Sequence, residues 1–325
     1  MLYCRRSLVT VTGLLLTTLG ASPGVQASET GSIVGWGLND YGQCDVPPPN
    51  ADFIGIATRY AHALGLKADG SIRVWGSTEH GQGDVPAPNA DFIGIAAGAQ
   101  HSLGLKEDGS IVAWGWNNHG QCEVPLPNAD FIGIAAGDGH GLGLKADGSI
   151  VAWGSDFFGE CDVPPPNSDF VAVTAGLFYS AGLKSDGSIV AWGENHHGQC
   201  DVPPPNSDFV DIVASGQHTL GLKADGSIVA WGYNGYGQCD VPAPNRDFTA
   251  VAVGAFHSLA LKGPHTCPDI DGDGDTDDSD LGILLATYEL APDDPLYDPR
   301  ADLNDDGEVG QADLGILLAD YGCAP

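Results

Sequence analysis

A 39-residue period governs most of this sequence and decides what it can fold into. Six Gly-Ser-Ile segments recur at this step from Gly31 to Gly226, and six Trp-Gly pairs recur at the same step from Trp36 to Trp231. Self-similarity at a period of about 40 residues is typical of propellers, in which each unit is one blade that packs on its neighbours. The period therefore predicts a repeat architecture.

Each unit contains segments with the residue pattern of short strands. In the first unit, residues 52–56 and 64–66 are short, apolar and alternating, and residues 71–75 are rich in strand-forming residues. A fourth, weaker strand is expected at residues 43–46, before a proline run that cannot donate ladder hydrogen bonds. Four strands per unit predict an all-β propeller of six four-stranded blades over residues 31–263.

Turn residues and the two ends of the repeat agree with a propeller. Asp69-Gly70 and its counterparts join the second and third strands, because Asp-Gly accepts the positive φ of a tight hairpin. The first repeat begins at its third strand, residues 32–36, and the last ends after its second, residues 257–261. The two halves are expected to complete one blade, which closes the ring between its amino-terminal and carboxy-terminal strands and leaves no open edge.

The loops of the predicted disc vary on one face only. Because successive strands alternate in direction, the Asp-Gly turns and proline crossings share one face, and the loops before each His and after each Trp-Gly share the other. This second face changes from unit to unit, either because it binds a partner protein or because unconstrained loop tips drift. Large aromatic residues in these loops favour binding: Tyr60, Trp116, Phe157, Phe178, Tyr233 and Phe256.

The repeat resembles a known family. Residues 97–105, 108–115 and Gly120-Gln121 place glycines, a His and a Trp in the register of the regulator of chromosome condensation repeat. The resemblance implies a propeller that binds proteins through one face, as the bacterial β-lactamase-inhibitor protein II does. Family members usually close with seven blades, have longer repeats, and carry Leu where Cys or Gly follows Gly-Gln here. Exchange-factor activity is not carried over, since an exported protein does not meet a nuclear GTPase.

Several repeated positions are interpreted as structural. A group needed in every blade is a packing group, and this explains the recurrent His62, His101, His140, His218 and His257, with Tyr179 in the fourth unit. The same interpretation covers the residues before the next Gly: Tyr41, His80, His119, Phe158, His197 and Tyr236. The repeat cysteines are expected to be small buried hydrophobes, with inter-blade disulfides as the alternative: Cys44, Cys122, Cys161, Cys200 and Cys239.

The amino terminus has the pattern of a cleaved export signal. Residues 1–27 combine Arg5 and Arg6 with an apolar run at 8–19 and small residues near Ala27. The alternative, a membrane anchor, would need an apolar run of about 20 residues. The protein is therefore expected to be secreted or attached to the cell surface, with no membrane span after cleavage. Its formal net charge of −31 excludes nucleic acid and anionic membranes as partners.

The carboxy-terminal region has the composition of a cation site. Residues 266–325 contain 17 acidic side chains and a single basic one, Arg300. Residues 269–280 form a twelve-residue acidic loop with Gly at the sixth place, which is the spacing of a calcium loop. A second such loop occupies residues 302–313. Two Ca²⁺ ions are expected, held by Asp269, Asp271, Asp273, Asp275, Asp277 and Asp280, and by Asp302, Asn304, Asp306, Glu308 and Asp313.

Each acidic loop leads into the same apolar string, at residues 281–285 and 314–318, which predicts two short packed helices. Residues 269–322 therefore resemble a type I dockerin, after a linker at 264–268. The resemblance implies calcium-dependent docking to a cohesin-like domain, often in polysaccharide-degrading assemblies. Cys267 and Cys323 bracket this region and are expected to form a disulfide in an oxidising compartment.

These features favour a non-enzymatic, monomeric interaction protein over two alternatives. One alternative is a secreted enzyme inhibitor similar to β-lactamase-inhibitor protein II. The other is a carbohydrate-active propeller enzyme, which would need paired carboxylates that break the repeat on the variable face. Four acidic residues there break the repeat, but nothing in the sequence marks a pair: Glu79, Asp138, Asp156 and Glu194.

Overall fold

The computed structural model of the chain describes residues 31–35, 38–243, 245–262, 270–271, 278–288, 290, 296–303 and 308–319. The predicted export signal at 1–27 and the linker at 264–268 lie outside these residues. Contacts divide the chain into two compact units, Met1–Leu261 and Lys262–Pro325, which are described separately. No helix in the described part of the chain has the length and apolarity needed to cross a membrane.

The first unit is a series of antiparallel sheets that follow the 39-residue period. Five sheets have three strands each, and we call them blades 1 to 5 in chain order. Blade 1 contains β1 (Phe53–Arg59), β2 (His62–Lys67) and β3 (Ile72–Gly76); blade 2 contains β4 (Phe92–Ala97), β5 (His101–Lys106) and β6 (Ile111–Gly115). Blade 3 contains β7 (Phe131–Ala136), β8 (His140–Lys145) and β9 (Ile150–Gly154); blade 4 contains β10 (Phe170–Ala175), β11 (Tyr179–Lys184) and β12 (Ile189–Gly193). Blade 5 contains β13 (Phe209–Ser215), β14 (His218–Lys223) and β15 (Ile228–Gly232), and a final two-stranded sheet contains β16 (Phe248–Val253) and β17 (Ser258–Lys262).

The prediction of four strands per blade is wrong. The segment at residues 82–85 and its counterparts form turns, in which the Asp84 amide donates to the Gly81 carbonyl at 3.0 Å. The outer edge of β3 is bonded instead by the side chain of Asn89, whose Oδ1 accepts from the Ile72 amide at 2.7 Å and whose Nδ2 donates to the Ile72 carbonyl at 2.9 Å. A side-chain amide thus satisfies the backbone groups that a fourth strand would have paired.

Apolar contacts between successive blades form the core. Leu64 and Ile72 of blade 1 pack against Phe92 and Trp114 of blade 2, and three further interfaces repeat this arrangement. The Trp114 indole is buried and donates to the Gln82 carbonyl at 2.8 Å, so its one polar group is satisfied. Each blade therefore depends on its neighbour for burial, as expected for repeats that cannot bury their own faces alone.

The described residues do not show closure of the ring. The Phe53 amide donates to the Gly31 carbonyl at 3.1 Å, as the Phe92 amide does to the Gly70 carbonyl at 3.0 Å. Gly31 thus bonds to the first strand of blade 1 in the same way as Gly70, which lies just before β3, bonds to the first strand of blade 2. In the described residues, however, β17 pairs only with β16, and Trp36 lies outside those residues. The predicted pairing of residues 32–36 with 257–261 is therefore not observed and stays a prediction.

The second unit contains two short helices, α1 (Asp278–Thr287) and α2 (Gln311–Ala319), and a 3-10 turn at Pro299–Ala301. Its buried core consists of Ile270, Leu284, Ala301, Val309 and Leu317. The two helices follow the two acidic loops, as the sequence predicts. Most of each loop, together with Cys267 and Cys323, lies outside the described residues.

Candidate functional site

The two variable loop sets lie side by side, because each loop after a Trp-Gly pair bonds to the pair of residues before a His. The Trp116 amide donates to the Gln100 carbonyl at 2.9 Å, and the Glu194 amide donates to the Phe178 carbonyl at 2.9 Å. The same contact recurs in blades 1, 3 and 5. Both sets therefore belong to one surface, which we call the variable face.

A cavity of about 490 Å³ opens on the variable face. Residues of blades 1 to 4 and of the loop before blade 1 line it. Five aromatic side chains line it, Tyr41, Tyr60, Trp116, Phe157 and Phe178, together with the imidazoles of His80 and His119. Its polar groups include Ser77, Glu79, Gln100, Asp138 and Ser155. Within the described residues, no Lys or Arg lines it. A concave, aromatic wall with a few convergent polar groups is the usual form of a binding site.

Aromatic rings continue along the face in edge contact with one another. Trp116 and His119 lie 5.3 Å apart between ring centroids, and His119 and Phe157 lie 5.4 Å apart. Farther along, Tyr233 contacts His197 at 5.0 Å, and Tyr236 contacts Phe256 at 5.4 Å. Tilted and edge-to-face pairs at these separations are attractive, so the rings hold one another in place. The face thus offers preorganised apolar area.

Arg59 crosses beneath the cavity and connects three blades. Its Nε donates to Asp138 Oδ1 at 2.7 Å, and its Nη1 donates to the carbonyls of Ala136 and Ala175 at 3.1 and 3.2 Å. These partners belong to β7 of blade 3, to the loop between β7 and β8, and to β10 of blade 4, so Arg59 joins blades 1, 3 and 4. Only 9% of the Arg59 side chain and 15% of the Asp138 side chain are exposed.

Burial sets the protonation behaviour of the cavity floor. It raises the pKa of Asp138, and the adjacent Arg59 guanidinium and the hydrogen bond from Tyr60 oppose that rise. Burial also raises the pKa of the Tyr60 phenol, as does the charge of Asp138. An acid with a buried cation and two donors is a fixed structural group, so Asp138 holds the floor in one arrangement.

The structure brings four of the six sequence-predicted aromatic residues together in the cavity wall, namely Tyr60, Trp116, Phe157 and Phe178. Tyr60 and Phe157 are 66% and 72% exposed, which leaves them free for contact with another molecule. Tyr233 and Phe256 lie outside this cavity, in the aromatic line that continues along the variable face. Whether these side chains contact a partner remains a prediction.

Sequence reasoning missed two parts of the site. Arg59 occupies a repeat position that is Gly in four other units, and this single basic residue among the variable loops was the available signal. Tyr41, His80 and His119 were interpreted as structural, yet they line the cavity. Their place in the loops after Trp-Gly, the same set of loops that carries Trp116 and Phe157, could have indicated this.

The repeated histidines begin the middle strands of their sheets and are fully buried at His62, His101, His140 and His218, whereas His257, predicted to pack in the same way, is exposed. His62 Nε2 lies 3.1 Å from Ser102 Oγ, and His140 Nε2 lies 3.0 Å from Ser180 Oγ. Burial lowers the pKa of His62 to about 4 and the pKa values of His101 and His140 to about 3. They are neutral packing groups at pH 7.

The repeat cysteines are half-buried free thiols, so the prediction of buried hydrophobes holds only in part and the alternative of disulfides is not observed. Cys122 Sγ lies 3.4 Å from the Trp116 carbonyl, and Cys161 Sγ lies 3.2 Å from the Ser155 carbonyl. Burial raises the pKa of Cys122 to about 11 and that of Cys161 to about 12, which keeps the thiols protonated. They help to fix the loops that carry the variable residues.

In the second unit, the structure describes part of each predicted calcium loop. Asp280 and Asp313, the last residues of the two loops, are fully buried at the starts of α1 and α2. Asp280 Oδ1 accepts from the Ile270 amide at 2.6 Å, and Asp313 Oδ1 accepts from the Leu303 amide at 2.7 Å. Asp271, Asp302 and Glu308 are also described. The remaining predicted ligands lie outside the described residues: Asp269, Asp273, Asp275, Asp277, Asn304 and Asp306.

No group of three or more His, Cys, Asp or Glu side chains in metal-binding proximity occurs within the described ranges. In both loops the last aspartate accepts a hydrogen bond from the amide of the second residue, so the beginning and the end of each loop lie together. A loop closed at both ends is the arrangement that lets oxygens from several places surround one ion. The calcium assignment stays a prediction.

Comparison with known proteins identifies the repeat. The regulator of chromosome condensation (RCC1) repeat matches residues 92–121, 131–160, 170–199 and 209–238. These segments extend from the first strand of blades 2 to 5 through the following Trp-Gly loop. The resemblance of the repeated sequence is thereby confirmed. No matched segment reaches residues 269–322, and none of the curated proteins matches the chain.

Solved structures share the fold at low identity. The ectodomain of the receptor kinase CR4 from Physcomitrella patens is 24% identical, with a TM-score of 0.55. That match covers 65% of this chain, which spans 59% of the length of the ectodomain. Prp20p from Saccharomyces cerevisiae is 19% identical with a TM-score of 0.56, and the match covers 65% of this chain and 69% of Prp20p. The first unit is therefore an RCC1-like, all-β propeller-like repeat fold.

Proposed function

We propose that this chain is an exported interaction protein whose propeller-like unit binds another protein through the variable face. The observation that carries the proposal is the convergence of Tyr60, Trp116, Phe157 and Phe178 on one cavity that continues into a line of exposed rings. Yeast Prp20 has been solved bound to Kap60 and is described as binding Gsp1p and histones. These are properties of Prp20, and they support protein binding as the class of activity.

Capture of partners from the secreted proteome of the host, with purified variants as baits, tests this proposal. Truncation of buried aromatic anchors typically costs 2 kcal/mol or more of binding free energy, roughly a thirtyfold loss of affinity. Trp116→Ala and Phe178→Ala should therefore lose the partner. The matched control is Leu126→Ala, because Leu126 is 90% exposed and belongs to a proline crossing.

Four outcomes separate the possible functions. Loss of a partner with both aromatic variants but not with Leu126→Ala supports the proposal. Equal capture by all variants contradicts it, and release of sugar by the purified protein would identify an enzyme instead. If the captured partner is a hydrolase that loses activity in the complex, the protein is an inhibitor and the same face is its binding surface.

We further propose that the second unit is a calcium-dependent attachment module that docks to a cohesin-like domain. The support is the duplicated acidic loop and the equivalent burial of Asp280 and Asp313 at the starts of two packed helices. Calcium would neutralise the carboxylates of the loops, with the eleven predicted ligands providing the oxygens. Attachment to a polysaccharide-degrading assembly follows from the dockerin resemblance alone.

Calorimetric titration of the intact protein with CaCl₂ after chelation tests the attachment module. Two bound ions are expected, and Asp280→Asn with Asp313→Asn should remove both. Asp240→Asn is the matched control, because it removes one charge from the repeat unit. If CaCl₂ gives the wild-type protein no more heat of binding than the same concentration of MgCl₂, the calcium module is contradicted. That result would not affect the proposed protein-binding face.

A further inference from the structure

We infer that the cavity on the variable face receives a basic side chain, Arg or Lys, presented by the partner protein. This inference rests on the proposed function and specifies the chemistry of the same site. Three observations lead to it: the aromatic wall, the anionic groups along the face, and the lack of accessible cations near them.

The aromatic wall suits a cation. Tyr41, Tyr60, Trp116, Phe157 and Phe178 surround one opening, and the negative faces of such rings attract an ammonium or guanidinium within about 6 Å. A cavity of about 490 Å³ admits a long side chain together with the backbone that carries it. Arg also stacks on aromatic planes, which makes it the better occupant of the two.

Unlike Asp138, Glu79 and Glu194 on this face have no Lys or Arg partner among the described residues. Glu79 is exposed at the cavity wall. Glu194 lies in the loop after β12 of blade 4, and its side chain is 11% exposed. His196 Nδ1 lies 3.2 Å from Glu194 Oε1, whereas Glu194 Oε2 is buried without a hydrogen-bond partner. Glu194 lies outside the cavity and its Oε2 is not accessible, so it adds negative charge to the face, whereas Glu79 can contact a side chain that enters the cavity.

The variable loops provide no competing positive charge. The loops before each His and after each Trp-Gly contain five carboxylates and no Lys or Arg: Asp40, Glu79, Asp138, Asp156 and Glu194. Arg59, at the end of β1, is already committed to Asp138 and two carbonyls. A second copy of this chain is disfavoured as the occupant, because its own variable face is also negatively charged. A basic segment of a different protein complements both the charge and the rings.

NMR titration of the intact protein with short peptides tests the inference. The probes are the peptide acetyl-Gly-Gly-Arg-Gly-Gly-amide and its citrulline counterpart, which keeps the shape of Arg and lacks its charge. The Arg peptide should shift the indole resonance of Trp116 and bind about tenfold more tightly than the citrulline peptide. Glu79→Gln should weaken binding of the Arg peptide severalfold, and Glu194→Gln, outside the cavity, should weaken it less. The control is Glu107→Gln, since Glu107 is an exposed carboxylate beside an Asp-Gly turn.

Equal binding of the two peptides, or no binding of either, overturns the inference. Binding of a neutral oligosaccharide such as cellotetraose to the same resonances, unchanged by Glu79→Gln, also overturns it and identifies a carbohydrate site. If Trp116→Ala abolishes partner capture while Glu79→Gln and Glu194→Gln leave it intact, the proposed protein binding holds and the basic side chain is excluded. If capture survives all these variants, the proposed function itself fails.

Discussion

Arg59 and Asp138 form an ion pair of 2.7 Å between groups that are 79 residues apart in the sequence. The pair connects the end of β1 with the loop before His140, and the same guanidinium bonds to carbonyls of blades 3 and 4. At the equivalent place most units have a glycine: Gly98, Gly137, Gly176 and Gly254. At those glycines a Cβ would press against the ring of the following His or Tyr, so Arg59 is a side chain that the repeat does not accommodate in these four units.

Arg59→Ala should destabilise the fold strongly, because it leaves Asp138 as a buried carboxylate without its cation. Removal of one partner of a buried pair costs about 3 to 5 kcal/mol. The measurement is urea unfolding followed by tryptophan fluorescence. Arg73→Ala is the control, since Arg73 is exposed on β3 and its loss should change the free energy of unfolding by no more than about 0.5 kcal/mol.

A double variant shows whether the pair itself is responsible. Asp138→Asn added to Arg59→Ala removes the uncompensated charge, so the double variant should be more stable than Arg59→Ala alone. Additive losses from the two substitutions would contradict the coupling of these residues.

Periodicity predicts the local structure of the repeat and cannot predict contacts that break it. Alternating apolar residues specify the three strands, and Asp69-Gly70 specifies a turn in which Gly70 has a φ of +75°. The Arg59–Asp138 pair forms because the end of β1 and the loop between β7 and β8 approach each other in the folded repeat. No local sequence pattern encodes this approach. The fourth strand was predicted wrongly because Asn89 bonds to Ile72 from a distant segment, and a single side chain leaves no strand-like pattern.

Asn128→Ala tests this replacement of a strand by a side chain. Asn128 Oδ1 accepts from the Ile111 amide and Nδ2 donates to the Ile111 carbonyl, both at 2.8 Å. Loss of both bonds should reduce the free energy of unfolding by about 1 to 3 kcal/mol. Asn128→Asp should retain the accepting bond and lose less. Asn118→Ala, in an exposed loop, is the control, and equal effects at the two positions would contradict the role of Asn128.

Ring closure can be tested at a tryptophan outside the described residues. Trp114 packs in the interface between blades 1 and 2 and donates to the Gln82 carbonyl at 2.8 Å, so Trp114→Ala should cost about 3 to 5 kcal/mol. The same register in the last interface would pair Trp36 with the Gln238 carbonyl, beside a cavity of about 360 Å³ lined by Leu220, Ile228 and Phe248. If the ring closes, Trp36→Ala should cost as much as Trp114→Ala. A change below about 0.5 kcal/mol would show that the ring stays open.

The buried histidines should make the repeat unit sensitive to mild acid. In the unfolded chain they titrate near pH 6.5, whereas burial lowers the pKa of His62 to about 4 and those of His101 and His140 to about 3. Between these values the unfolded state binds protons that the folded state does not. Stability is therefore complete above about pH 6.5 and falls as the pH falls, by up to about 1.4 kcal/mol per pH unit for each histidine.

His101→Tyr isolates this effect from the titration of carboxylates. His101 bonds to no side chain, its one opposing influence on the pKa being the His140 backbone, and Tyr179 already occupies the equivalent position in the fourth unit. Tyr179 donates to the His218 carbonyl at 2.6 Å, and a tyrosine at position 101 has the corresponding His140 carbonyl available. The measurement is the free energy of unfolding in urea at several pH values between 5 and 7. The slope of the variant should be smaller than that of the wild type by up to about 1.4 kcal/mol per pH unit, because one proton fewer is taken up on unfolding. Identical slopes would mean that His101 is protonated in the folded protein, which contradicts its burial as a neutral packing group.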